Sequence, residues 1–285
     1  NNATLTLNSV GSTANVLVDA VAPTVTGVSS STADGSYKTG DVIAITIAFS
    51  ETVSVTGTPQ LTLETGATDR TVDYSSGSGS NTLTFNYTVQ AGDTSADLDY
   101  ISANSLTLNC EIINDAAGNS ATLTLPAPGA ANSLGANKSL VIDNTAPTVI
   151  EVLTSSTDNN KTFGVGDKIS IYVQFTEQVT ITGTPQLTLE TGTTDRTINY
   201  KATSSSTVEF EYTVQSGDES ADLGYVDINS LKLNGGTIKD AAGNIAVLTL
   251  PVPGASGSLD NERNIIINAS VPSVSTTNAS NTAQF

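Results

Sequence analysis

Three short runs recur in this chain at spacings that differ by one residue, and that spacing limits what the chain can fold into. The run Gly57-Thr-Pro-Gln-Leu-Thr-Leu-Glu-Thr-Gly66 returns 126 positions later at 183–192. Ser95-Ala-Asp-Leu98 and Asp115-Ala-Ala-Gly-Asn119 return 125 positions later, at 220–223 and 240–244. A solenoid repeat is roughly 20–50 residues long, so a unit of this length reads instead as a domain with its own core. The opening Asn-Asn-Ala-Thr-Leu-Thr-Leu of 1–7 matches Asn-Ser-Ala-Thr-Leu-Thr-Leu at 119–125. Residues 1–20 therefore read as the closing strands of a preceding repeat. Residues 21–145 and 146–270 read as two whole repeats, and 271–285 as the opening strand of a following one.

The joints between repeats are marked as well. Val-Ile-Asp-Asn-Thr-Ala-Pro-Thr-Val at 141–149 has imperfect copies at 16–25 and 265–274. Each copy runs from β-branched residues through a polar or acidic residue to a proline and back into a strand pattern. That is the grammar of a last strand, a stiffened link and a first strand.

Within each repeat the apolar period is two. Ile43, Ile45, Ile47 and Phe49 alternate with Val42, Ala44, Thr46 and Ala48, and the register returns at Ile169, Ile171, Val173 and Phe175. Leu83, Phe85, Tyr87 and Val89 form a second such run, matched by Val208, Phe210, Tyr212 and Val214. Turn-rich segments separate these runs, and the chain has no Met or Trp and few aromatics. Eight to ten short strands per repeat and no convincing helix predict an all-β fold of tandem immunoglobulin-like antiparallel β-sandwich domains. Segment 130–138, with its partner 255–263, does not alternate and is read as a loop, with a turn of helix or a crossover as alternatives.

With 28 acidic and 10 basic residues the net charge is −18, which makes nucleic acid and anionic membranes poor partners and dissolved cations good ones. The single Cys110 has no internal partner, and Gly235 stands at its place in the second copy. No stretch has the layout of a signal peptide or a membrane span, so an export signal or anchor is expected outside this chain. Sequons at Asn2, Asn86, Asn137, Asn268 and Asn278 reflect a chain rich in Asn, Ser and Thr.

The carboxylates are the chemically suggestive groups. Loops of a sandwich alternate between its two ends, so the loop after the second strand and a late loop share a pole with the incoming link. Glu51 and Asp115 should therefore approach Asp19, and Glu177 and Asp240 should approach Asp143. Oxygen ligands gathered from several loops suit Ca2+, a hard cation taking six to eight oxygens in tolerant geometry. Asp34, with Asp41, Asp93, Asp97 and Asp99, is placed at the opposite pole, where it would join Asp143, Glu177 and Asp240 on one ion. Several of these aspartates also suit a local bracing role, bonding to backbone N–H groups in turns, above all Asp97 and Asp222. The third joint has Asn268 where the others have an acid, so a cation there would bind more weakly. Catalysis has little to build on: with no His, no paired Cys and no phosphate loop or zinc spacing, no enzyme is expected.

Phe49-Ser-Glu-Thr-Val, the Asp-Ala-Ala-Gly-Asn loop and the joint ending Ala-Pro-Thr-Val together resemble the bacterial immunoglobulin-like repeats of giant surface adhesins, including repeats of a cyanobacterial motility-protein type. The resemblance implies a sandwich fold, an extracellular cell-surface setting and a stalk or adhesive role. It also implies Ca2+ at domain junctions, held by Asp143, Glu177 and Asp240 and by Asp19, Glu51 and Asp115. Partners would be neighbouring repeats, identical subunits, or surface glycans and host surfaces. A structural alternative is a filament or sheath subunit whose terminal strands are exchanged between neighbours. A carbohydrate-binding module would need an aromatic platform that this sequence hardly supplies.

Overall fold

The computed structural model describes residues 18–270; the segment 271–285 and all but the last residues of 1–20, which carry the strand-exchange alternative, lie outside that range. The chain divides into two compact units between Asn144 and Thr145.

In the first unit the strands are β1 (Val25–Ser30), β2 (Gly35–Tyr37), β3 (Val42–Thr56), β4 (Gln60–Glu64), β5 (Arg70–Ser76) and β6 (Ser80–Thr88). They continue with β7 (Asp99–Tyr100), β8 (Leu106–Thr107) and β9 (Ile112–Asn114), then a single helical turn α1 (Leu134–Asn137) and β10 (Leu140–Ile142). Hydrogen bonding joins them in the order β1-β3-β6-β5-β4-β7, with β8 beside β4 and β9 beside β3. The result is a curled, mostly antiparallel sheet, a half-barrel of the immunoglobulin-like sandwich type.

The second unit repeats this with β11 (Val149–Thr154), β12 (Lys161–Phe163), β13 (Lys168–Phe175), β14 (Thr180–Thr182), β15 (Gln186–Glu190) and β16 (Arg196–Ser204). After these come β17 (Thr207–Thr213), β18 (Glu219–Ser220), β19 (Gly224–Tyr225), β20 (Leu231–Lys232), β21 (Thr237–Lys239), the turn α2 (Leu259–Glu262) and β22 (Ile265–Asn268). Its main sheet runs β11-β13-β17-β16-β15-β19.

The period-two residues form the two cores. Ile43, Ile45 and Ile47 on β3 and Leu83, Phe85 and Tyr87 on β6 are fully buried, while Ala44 and Thr46 lie opposite Asn86 and Thr84 on the other face. Each such aliphatic or aromatic side chain contributes about 1.5–3 kcal/mol by leaving water. Strand β3 then departs from regularity. Ala48 pairs with Thr82 but Val53 pairs with Ser80, so the residues between them bulge out of the ladder before Ser54–Thr56 joins β9. In the second unit the same irregularity breaks the strand in two, as β13 and β14.

Each unit also carries a buried polar clasp. Asp93 is 1% exposed and accepts from Arg70 Nε at 2.8 Å, Tyr87 Oη at 2.6 Å and the Gln90 N–H at 2.9 Å. Burial alone would raise the Asp93 pKa, but the bonds from Arg70, Tyr87 and Gln90 outweigh it and hold the carboxyl below its ordinary value. Asp218, Arg196, Tyr212 and Gln215 repeat the arrangement. Tying β5 to the turn after β6 satisfies the buried Asp93 carboxylate and the buried Tyr87 hydroxyl at once.

Two details refine the expected fold. Segment 130–138 is not simply a loop, because Ser133 accepts the Ala136 N–H at 3.2 Å and caps one helical turn, which plugs the core with fully buried Leu134. The sandwich is mostly antiparallel, as expected, and also holds parallel pairs, β10 with β2 and β22 with β12. Among the described residues no helix is long and apolar enough to cross a membrane.

Candidate cation site

The incoming link is fastened to the first unit by its backbone. Thr122 donates its N–H to Pro23 O at 2.7 Å, and Ser50 donates to Thr24 O at 2.8 Å while its hydroxyl accepts from the Thr24 N–H at 3.0 Å. Link, bulge and late loop are thereby drawn to one end of the sandwich. The side chain of Glu51 projects from the bulge, Asp115 follows β9, and Asp19 sits in the link. An oxygen of each carboxylate lies within 4.8 Å of the others.

Asp115 is the anchor, at 5% exposure. Its Oδ1 accepts the Asn119 N–H at 2.8 Å and its Oδ2 accepts the Asn119 side-chain amide at 2.6 Å. Burial pushes the Asp115 pKa up, but these bonds and those from the Gly118 and Ala117 N–H groups prevail and keep it low. Gly118 supports the tight loop with φ 94°, a backbone region that side chains seldom adopt. The same Asn119 amide reaches the carbonyls of Asp19 at 3.2 Å and Val21 at 3.4 Å, and Asp19 Oδ1 accepts the Val21 N–H at 3.0 Å. Asn119 thus joins the late loop to the link, a role the sequence reading missed. Its signal was present: an Asn four residues after the Asp in both copies of the loop, Asn119 and Asn244.

Glu51 carries the electrostatic imbalance. Burial first, then repulsion from Asp19 and Asp115, raises its pKa above the ordinary glutamate value. None of these three carboxylates forms an ion pair with a lysine or arginine among the described residues. The donor set fits a divalent cation: it is all oxygen, negatively charged and uncompensated. Two ligands on opposite sides of an ion at about 2.4 Å stand about 4.8 Å apart, and the three oxygens lie within that distance of one another. Glu177 and Asp240 stand in the second unit at the places of Glu51 and Asp115. In the second unit Asn244 holds Asp240 as Asn119 holds Asp115, at 2.8 Å from both its N–H and its side chain.

Asp34 does not join Asp143, contrary to the sequence reading. Its Oδ1 lies 2.7 Å from Lys138 Nζ and accepts the Ser139 N–H at 3.2 Å, bonds that lower its pKa. The reason is the parallel register, which sets Gly35 beside Leu140 and Tyr37 beside Ile142. Asp34 precedes the pair and Asp143 follows it, four residues of rise or about 13 Å apart along the strands. The remaining acids of that pole are braces. Asp41 accepts from the Lys38 N–H at 2.9 Å, Asp93 is the buried clasp, and Asp97 and Asp222 accept from the N–H groups of Leu140 and Ile265 at 3.4 and 3.2 Å. Asn268, at the end of β22, accepts from the Ser270 hydroxyl at 3.2 Å.

No protein-family model matches the chain, and no curated protein matches it. Among solved structures it is similar to the I-band fragment I67-I69 from titin, at 11% sequence identity and a TM-score of 0.33. That similarity covers 87% of this chain, which spans 66% of the titin fragment.

Proposed function

We propose that this chain is a non-enzymatic structural and adhesive segment of a large extracellular bacterial surface protein, whose tandem immunoglobulin-like units are stiffened at their links by Ca2+. The observation that carries the reading is the trio Asp19, Glu51 and Asp115, in which a link residue, a bulge residue and a loop residue converge without a counter-charge. A bound cation would supply that charge and tie the link to the body of the domain. Calcium is favoured over magnesium because the donors come from three separate segments, and the larger ion tolerates irregular oxygen geometry where magnesium demands a near-ideal octahedron. The repeat-based resemblance supports the surface setting, and the acidity of the chain suits a cation-rich exterior.

Extracellular modules bind Ca2+ at roughly 10⁻⁴–10⁻³ M, so millimolar calcium adds about 1 kcal/mol per site, enough to bias a link without creating the fold. Calorimetric titration of the metal-free chain with CaCl2, paired with solution scattering in calcium and in chelator, tests the proposal. Saturable binding and a longer, better-defined particle in calcium are expected. Absence of calcium uptake at millimolar concentration, or identical scattering in chelator, would overturn it.

A further inference from the structure

Most glycines of this chain sit at positive φ, where the backbone itself accounts for them, but Gly135 and Gly224 do not. Their neighbours supply the reason. In the first unit Asp99, at the start of β7, accepts the Gly129 N–H through Oδ2 at 3.0 Å. In the second unit the residue at the place of Asp99 is Gly224, and the Gly254 N–H is held instead by Asp260 Oδ1, also at 3.0 Å. Asp260 belongs to α2, and at its place in α1 stands Gly135. Carboxylate and glycine have changed places while the bond they serve has stayed.

Electrostatics oppose filling the two positions together, and at position 135 crowding does so as well. A Cβ on Gly135 would lie 3.1 Å from Asp99 Oδ2 and 3.5 Å from Asp97 Oδ2, and one on Gly224 would lie 3.4 Å from Asp260 Cγ. A second carboxylate there would face the first at close range, with Asp97 or Asp222 beside it. The exchange also shows in the helix caps. Ser133 accepts the Ala136 N–H, whereas Ser258 gives its hydroxyl to Asp260 Oδ1 at 2.6 Å and α2 has no side-chain cap. Beside each clasp a tyrosine fastens the same loop: Tyr100 Oη donates to Pro126 O at 2.7 Å, and Tyr225 Oη to Pro251 O at 2.5 Å.

We infer that positions 99 and 135, and likewise 224 and 260, form one conformational clasp for the crossover loop, in which a single carboxylate from either side holds the loop amide and the opposite position must be glycine. The loop so held leads from the last residues of the core into the helical turn that plugs it. Tyrosine and carboxylate fix its two ends, and the carboxylate's point of attachment is free to migrate between strand and helix.

Amide exchange at Gly129 and Gly254, followed by NMR in the full chain, reads the clasp directly. Asp99→Gly is expected to speed Gly129 exchange by about tenfold or more, the loss of one hydrogen bond to a charged acceptor, while Gly254 serves as an internal reference. Gly135→Asp alone should lower the melting temperature of the first unit. The double variant Asp99→Gly/Gly135→Asp should return Gly129 exchange to within about threefold of the parent, because the second unit already shows that geometry. The inference fails if Asp99→Gly leaves Gly129 exchange unchanged, or if the double variant exchanges no more slowly than Asp99→Gly. Should Asp99→Gly prevent the first unit from folding, Asp260→Gly and Gly224→Asp/Asp260→Gly read the same coupling at Gly254.

Discussion

Asn119 grips Asp115 by both oxygens, with its N–H at 2.8 Å and its side-chain amide at 2.6 Å, and the same amide reaches the link carbonyls of Asp19 and Val21. Replacing it with alanine keeps the backbone N–H on Oδ1 but strips the side-chain amide from Oδ2 and from the link carbonyls. Asn119→Ala is expected to lower the melting temperature of the first unit by roughly 5 °C or more, and Asn244→Ala to do the same for the second. Differential scanning calorimetry of each variant checks both, and a shift confined within experimental error would show that water replaces the amide at no cost.

Glu51 is strained by its neighbours in the absence of a cation, so Glu51→Gln should act in opposite directions in two buffers. In chelator at neutral pH the variant should melt higher than the parent, since the cost of burying the charge and the repulsion from Asp19 and Asp115 are both relieved. In calcium it should lose most of the calcium-induced rise. The pH dependence follows from the raised pKa: ionised Glu51 destabilises the metal-free fold above its folded pKa. That penalty disappears below the ordinary glutamate value of 4.5, where the group is protonated in both states. Melting curves of parent and variant in chelator should therefore converge near pH 4 and diverge toward pH 7, with the variant the more stable.

The buried clasp of Asp93 titrates with the other sign. Its folded pKa lies below the ordinary 3.8, so the stability it contributes is complete above that value and is lost as pH falls through the folded pKa. Asp93→Asn breaks the pair with Arg70 and should cost about 3 kcal/mol at pH 7, less at pH 3. Urea denaturation at the two pH values measures the difference. Equal losses at both would mean that the ion pair contributes nothing beyond packing.

Gly118→Ala tests the loop itself. At φ 94° a methyl group is strained, so the substitution should destabilise the first unit by about 1 kcal/mol and weaken calcium uptake at the Asp19 site in parallel. Calorimetric titration alongside denaturation would reveal whether the two losses travel together.

The fold was legible because period-two alternation and a repeat of domain length leave few alternatives. Ile43 to Phe49 and their copies are buried as their spacing demanded. The convergence of Asp19, Glu51 and Asp115 was legible too, from loop order alone. What escaped was set by register rather than pattern. Nothing in Gly35-Ser-Tyr37 announces a parallel partner 105 residues away at Leu140–Ile142, and that partner is what carries Asp34 off to Lys138. The helical turn at Leu134 was an alternative to a loop, not the leading reading, because four residues with a glycine among them have no helical period, and Ser133 and the burial of Leu134 stabilise what propensity does not.

The parallel pairing of β2 with β10 has a mechanical meaning. The chain reaches β2 from its amino-terminal side and leaves β10 at its carboxyl end, so tension along the polypeptide pulls these neighbours in opposite directions. The rungs at Gly35, Ser36 and Tyr37 are then loaded side by side in shear, not peeled open one after another. Under tension the last strand of the unit would resist by sliding against β2 along these three rungs.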